Sequence, residues 1–406
     1  MRILRATAGE LEEPHEALAQ INSAVEKQGG LLKYTVGLVS CNFEFLDTGT
    51  FCYLAENLNF PIFGLTTTSN ATNGEVEPFQ FSLLIFTSDL EQFSLGLSDP
   101  FVDPTIPPQE ENVNAKILRT RKNFEKLYQE GISQLSGPPT LGIVCFPLIY
   151  GFSDEILTQS LFRLTQIPFF GSFPVENYHA QRRRYPSVLF HEEDYQDRAA
   201  LLLFQGITPK FFYTDTFKDS IARQKAIITK SEGNILREVN DRPVVDFLLE
   251  LGMVQKNLLL SINSNPFVIY KKNTEKYQPR IAHELLPDGG ILCNGPLPQG
   301  SILSLGIMDK EGILNSAQTL FERVKNFPGL TGALIYSCLN RQLNLFWDDF
   351  REIKLLDSMM GEDAPPWLMS YSGGEICPTR GPEGDMVNSF LNLSAIALAF
   401  QDEKMV

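Results

Sequence analysis

Residues 331–338 read TGALIYSC, and residues 365–374 read PPWLMSYSGG. Both are short apolar runs, β-branched or aromatic, and punctuated by Gly and Pro, the pattern of buried strands. Between them, a segment around Phe346–Met360 reads as a helix, and SAIALAF (394–400) supplies one more apolar run. A helix between two apolar strands predicts a crossover unit whose sheet is covered on its faces.

The same order occurs twice more, upstream. YTVGLVSC (34–41) is followed by a helix-like stretch, then NFPIFGLTT (59–67) and FSLLIFTSD (81–89). TLGIVCF (140–146) is followed by a helical pattern at about Ser153–Thr165, then IPFFGSF (167–173) and SVLFHEED. In every copy a proline precedes the second apolar run, which ends at a glycine. An amphipathic helix precedes each copy: PHEALAQINSAVEKQ, AKILRTRKNFEKLYQEG and ILNSAQTLFERVKN. An internal repeat explains this order better than coincidence. The runs beginning at Val36, Leu141 and Ala333 are therefore expected to be equivalent strands.

Residues of about 207–306 break the pattern. Their alternation, with turns at Asp288-Gly289-Gly290 and Pro298-Gln299-Gly300, predicts antiparallel hairpins. One helix, RPVVDFLLELG, has Pro243 at its start and Gly252 as its stop. The fold class is thus α/β with α+β elements: repeated strand–helix–strand–strand units and an inserted antiparallel β-rich subdomain. The expected division is 1–206 for two α/β units, 207–306 for the inserted subdomain and 307–406 for the third unit. SDPFVDPTIPPQEENVNAK (98–116) reads as the linker between the first two units.

A chain of 406 residues, 43% apolar and 20% charged, can bury more than one core. Its 34 basic and 49 acidic side chains give a formal charge of −15, which excludes a general nucleic-acid binder. No window reaches the length of a membrane span, and MRILRATAGELEEPHEALAQ lacks the apolar core of a signal peptide. A cytoplasmic location is expected. Cysteines 41, 52, 145, 293, 338 and 377 stand singly, without a C-x-x-C pair, and should be free, mostly buried thiols.

Four stretches carry a family resemblance: SEGNILREVNDRPVVDFL (231–248), PDGGILCNGPLPQGSIL (287–303), ALIYSCLNRQ (333–342) and MSYSGGEICPTRGPEG (369–384). In this order they resemble the FIST family of bacterial and archaeal sensory domains, read as N-terminal and C-terminal parts. FPIFGLTTTSNATNG (60–74) is similar to the family's G-C-[ST]-T stretch, with Leu65 where cysteine is usual. Where the family has a His-Asn pair near the last strand, this chain has Leu391-Asn392. The resemblance implies signal transduction through a small ligand, with amino acids the usual proposal and haem-based nitric-oxide sensing the alternative. The 406 residues include no kinase, cyclase or methyl-accepting module, so signalling is expected to pass through a separate partner. Any partner, such as a histidine kinase or diguanylate cyclase, would be a separate chain.

Ligand-site candidates follow from position. In an open α/β sheet, ligands bind beyond the carboxyl ends of the strands. Ser337, Cys338, Asn340 and Arg341 follow the first strand of the third unit, and Ser372, Gly373, Gly374 and Glu375 follow the second. The guanidinium fork of Arg341 suits a ligand carboxylate. Glu375 suits an ammonium group, and the two glycines would permit close backbone approach. A bland alternative is a glycine turn with a solvated Glu, and Cys338 as a buried spacer. Thr66 and Thr67 end the equivalent strand of the first unit, as pocket hydroxyls or as ordinary β-branched strand residues. Arg280 and His283 lie in the insertion. The basic spot HAQRRRYP (179–186) reads as a solvated hairpin or a docking patch.

Catalysis finds less support. G-x-S-x-G, a Walker loop and H-E-x-x-H are absent, and the four histidines are scattered. The expected protein is a non-enzymatic sensor with no cofactor and no metal. An enzyme using Glu375 as acid/base or Cys338 as nucleophile stays open as the other reading.

Overall fold

The computed structural model describes residues 1–401 except 75, 91, 104–112, 149–165, 176–184, 215, 217–220, 256–257, 260–264, 271–276, 346–349 and 381–383. The helical pattern at Ser153–Thr165, residues 104–112 of the 98–116 linker and most of HAQRRRYP lie outside the described residues.

The three repeats are real and build three sheets. The first holds β1 (Arg2–Ala8), β2 (Tyr34–Cys41), β3 (Ile62–Thr66) and β5 (Phe81–Ser88), with β4 (Asn70–Thr72) leaving between the last two. The second holds β6 (Phe93–Leu97), β7 (Pro139–Cys145), β8 (Phe169–Ser172) and β11 (Ala200–Gln205), with β9 (Val188–Phe190) and β10 (Glu193–Tyr195) leaving. The third holds β12 (Lys210–Tyr213), β23 (Leu330–Cys338), β24 (Trp367–Ser372) and β27 (Ala395–Gln401), with β25 (Glu375–Arg380) and β26 (Met386–Leu391) leaving. Ten short strands, β13–β22, lie between Ala226 and Leu305.

The order within each sheet is the same. An edge strand pairs antiparallel with the closing strand, which pairs antiparallel with the opening strand, which pairs parallel with the strand after the proline. Matching main-chain bonds fix the equivalences: Gly37 N–H to Pro61 O, Gly142 N–H to Pro168 O and Ala333 N–H to Pro366 O, each 3.0 Å. At two equivalent positions only glycine fits. A Cβ on Gly64 would lie 1.8 Å from Val39 O, and one on Gly171 would lie 2.0 Å from Val144 O.

Each sheet is completed by its neighbour. β9 pairs with β3, β25 with β8, and β4 with β24, so the second unit lends strands to the first, the third to the second and the first to the third. The junctions are bonded in the same cyclic sense: Val175 N–H to Thr66 O (3.2 Å), Gly373 N–H to Phe173 O (2.9 Å) and Thr67 Oγ1–H to Tyr371 O (2.7 Å).

Alternation explains why both faces of these strands are apolar. Val36 and Leu38, Leu141 and Ile143, and Leu334 and Tyr336 meet in one central core shared by all three sheets. The outer faces pack on helices. α1 (Pro14–Lys27) buries Ala17, Ile21 and Val25 at four-residue spacing and covers the first sheet beside α2 (Glu44–Asp47) and α3 (Thr50–Asn57). α4 (Val113–Ser133) covers the second.

In the insertion, α5 (Val244–Glu250) packs on the antiparallel strands around their own core of Ile228, Leu236, Phe267 and Leu303. Their main sheet runs from Tyr277–Arg280 at one edge to Ala282–Leu285 at the other, so it curls towards a barrel. The insertion interrupts the third unit between its edge strand β12 and its helix α6 (Lys310–Lys325), which Asp309 caps by accepting the Gly312 N–H. Helix α6, with α7 (Leu339–Asn344) and α8 (Arg351–Met360), completes the third unit. Among the described residues, no helix is long and apolar enough to cross a membrane.

Candidate functional site

The carboxyl ends of β23 and β24 lead into a buried polar network. Arg341 on α7 and Glu352 on α8 are fully buried. The Arg341 Nη2 and Nε groups donate to Glu352 Oε1 at 2.8 and 3.1 Å. The remaining guanidinium donors reach Ile313 O (2.9 Å), Ser316 Oγ (3.1 Å) and Thr216 Oγ1 (2.9 Å). Ser337 Oγ donates to the second Glu352 oxygen at 2.9 Å. An ion pair pays a large desolvation cost when buried, and this one meets it with additional hydrogen bonds on both partners.

Glu375 stands across the strand ends, equally buried. It accepts from Ser372 Oγ (2.8 Å) and Ser394 Oγ (2.9 Å). Burial is the main influence on it and lifts its pKa to about 8, against the opposing pull of the two serines and of Arg341. At neutral pH it is mostly a neutral acid. Burial, and then Glu375, hold the Cys338 thiol well above its ordinary range. Burial, and then Glu352, do the same to the Tyr371 phenol.

The structure brings Ser337, Cys338, Arg341, Ser372 and Glu375 together and gives Arg341 an internal partner, Glu352. Asn340 is half-buried on α7 beside them. The glycines serve packing between units. Gly373 spends its N–H on Phe173 O, and a Cβ there would lie 2.5 Å from Pro174 O. A Cβ on Gly374 would lie 2.6 Å from the Phe390 ring. Thr66 exchanges bonds with Ser187 of the second unit, and Thr67 bonds Tyr371 O of the third.

Arg280 lies outside the network. It is buried within the inserted sheet, donating to Pro296 O, Pro279 O and Gln278. Its neighbour Ile281 does reach the strand ends, packing with Cys338, Ile313, Leu345 and Leu393. Asn294 of the insertion bonds Asn392 beside them.

Glu352, Thr216, Ser316 and Ser394 are the members that sequence reasoning missed. Glu352 shares the buried stripe of α8 with Ile353 and Leu356, where a carboxylate needs a partner, but the sequence alone does not show which face of that helix is buried. The described histidines stand far apart in the fold. His15 is on α1, His191 follows β9, and His283 lies exposed in the insertion. All six cysteines are free, five of them buried.

Comparison with known proteins gives a consistent result. The sequence profile of the FIST N domain matches residues 35–242, and that of the FIST C domain matches residues 244–378. No relative was found among curated protein sequences. Among solved structures, the chain is similar to the crystal structure of a cyanuric acid hydrolase from A. caulinodans, at 7% identity and a TM-score of 0.37, with 98% of each chain covered.

Proposed function

The chain belongs to the FIST family of sensory signalling domains, and on that premise we propose that it is a cytoplasmic sensor of a small amphoteric metabolite, an amino acid or a close relative. The observation that carries this reading is the fully buried Arg341–Glu352 pair at 2.8 Å. A simple anion that took Arg341 would orphan Glu352 in the interior, and a simple cation would orphan Arg341. Either exchange costs several kcal/mol. A zwitterion can enter between the two, carboxylate to guanidinium and ammonium to carboxylate, and leave every charge paired. Ser337 and Ser372 would line its path, with Glu375 as a neutral hydrogen-bonding wall.

Such an exchange must part α7 from α8, so binding is linked to a change of shape. The inserted subdomain touches the same strand ends through Ile281 and Asn294 and would feel that change. A separate chain, such as a histidine kinase or diguanylate cyclase, would read it. The reading requires no bond making, no metal and no cofactor, and the protonated Cys338 thiol is a poor nucleophile.

A thermal-shift screen tests it. A saturating ligand at about 100 times its Kd stabilises the native state by about 2.7 kcal/mol. Amino acids should raise the melting temperature, whereas acetate or methylammonium alone should not. If both mono-ions act as well as the zwitterions, the exchange reading is wrong.

A further inference from the structure

Along the outer edge of β1 runs a cleft of about 970 Å³, walled by α1 on one side and by β4 and the chain leading to β5 on the other. β1 is an edge strand, so alternate residues turn their peptide groups away from the sheet. Two outward positions along this edge are already occupied, by Gln20 of α1 and by Gln28, which follows that helix. Gln28 accepts from Arg5 N–H at 3.1 Å and donates to Arg5 O at 2.6 Å. Gln20 accepts from Gly9 N–H at 3.3 Å. Thr7 lies midway, and alternation sends its N–H and C=O to the same side. Its Oγ1 is buried and has no partner among the described residues.

The cleft is charged in order. Arg5 and Lys27 line it at one end, Glu10 and Glu77 at the other, where Glu77 Cγ comes within 4.0 Å of a Cβ built on Gly9. From Arg5 to Gly9 the chain covers about 14 Å, the length of roughly four extended residues, so an added strand of that length would displace the Gln28 and Gln20 amides at its two ends. That space is larger than a single amino acid needs.

We propose that this cleft binds a short free peptide of about four residues as an added antiparallel strand. Its central residue exchanges two hydrogen bonds with Thr7. Its terminal carboxylate lies towards Arg5 and Lys27, its terminal ammonium towards Glu10 and Glu77. Antiparallel addition is the one direction that meets both charged ends, because β1 runs from the basic end to the acidic end. Backbone pairing accepts many side-chain sequences. The peptide would touch β1 of the first sheet and Thr72 of β4, which is bonded into the third. This site is separate from the strand-end network and does not rest on its assignment.

Amide hydrogen exchange at Thr7 of the full chain tests the proposal. An equimolar mixture of random tetrapeptides with free termini, at millimolar concentration, should slow exchange at Thr7 at least about tenfold and raise the melting temperature. The same mixture acetylated and amidated should bind at least about tenfold more weakly, having lost two charge-assisted contacts. Thr7→Pro removes only an outward N–H on an edge strand and should abolish the peptide response. If that variant does not fold, the surface variant Lys27→Glu/Glu77→Lys should lose the preference for free termini. Unchanged Thr7 exchange with free peptides, or equal binding of capped ones, overturns the proposal. So does Thr7 protection that grows with protein concentration alongside a dimer mass, which would assign the edge to a second copy of the chain.

Discussion

The second and third units place the same backbone positions at the ends of their two parallel strands and fill them differently. Ser337 and Tyr371 of the third unit correspond to Phe146 and Phe173 of the second, counted from the shared Ala333–Pro366 and Gly142–Pro168 bonds. In the second unit these rings meet at 5.9 Å in a tilted pair, Phe146 also meets Phe101 and Phe124 at 5.4 and 5.7 Å, and Phe173 meets Phe390 at 5.3 Å. In the third unit Ser337 instead bonds Glu352 of the ion pair, and Ser372 and Ser394 bond a buried acid. At these two positions the backbone does not demand polarity. Burying an ion pair beside the third strand end is a cost to folding, which is why function is assigned to that end.

The largest test removes one charge. Arg341→Ala orphans Glu352 and should destabilise the chain by about 3–5 kcal/mol in denaturant unfolding. Arg341→Met/Glu352→Leu, which replaces the ion pair by apolar side chains, should recover most of that loss and abolish the amino-acid response. If the double variant is as unstable as the single one, the polarity is structural and the contrast between the units loses its meaning.

The next concerns pH. Glu375 has a folded pKa of about 8, above its ordinary value of 4.5, so the folded chain binds more protons between these values. Its contribution to stability is full below the unfolded pKa and is lost as pH rises through the folded one. The expected slope is about −1.4 kcal/mol per pH unit across that window, and Glu375→Gln should flatten it. Among the described residues the second unit has no comparable buried acid, so Phe146 variants should retain the slope. The smallest effect is Phe146→Leu, a near-volume-conserving change worth about 1 kcal/mol, with no effect on ligand response. A change in that response would show that the two ends are coupled.

Much of this was legible in the sequence. The three opening strands, the prolines before the second strands and the hairpin insertion follow from period and punctuation. Ser337, Arg341 and Glu375 were singled out because strand ends in α/β sheets are where chemistry collects. The lending of strands was not legible. Asn70–Thr72 is three residues long and without apolar alternation, and its partner is almost three hundred residues away. Nor was the partner of Arg341. Glu352 on a helix reads as a solvated acid until its face is known. Gly373 and Gly374 are the small residues a ligand approach needs, and close packing against Pro174 and Phe390 needs the same type. Arg280 is buried as a site residue would be, but by its own subdomain.

The lending of strands also sets an order of events during synthesis. The first sheet lacks its far edge until residues 188–195 have been made, and the second until residues 375–391 have been made. The third needs the earliest of the lent strands, 70–72, and the last strand of the chain, 395–401. No unit can finish before its successor, and the circle closes only as the final strand docks. Pairings this distant in sequence make for slow folding and leave strand edges exposed meanwhile. A chain stopped after residue 378 should be cut rapidly by protease not only in the third unit but throughout the second.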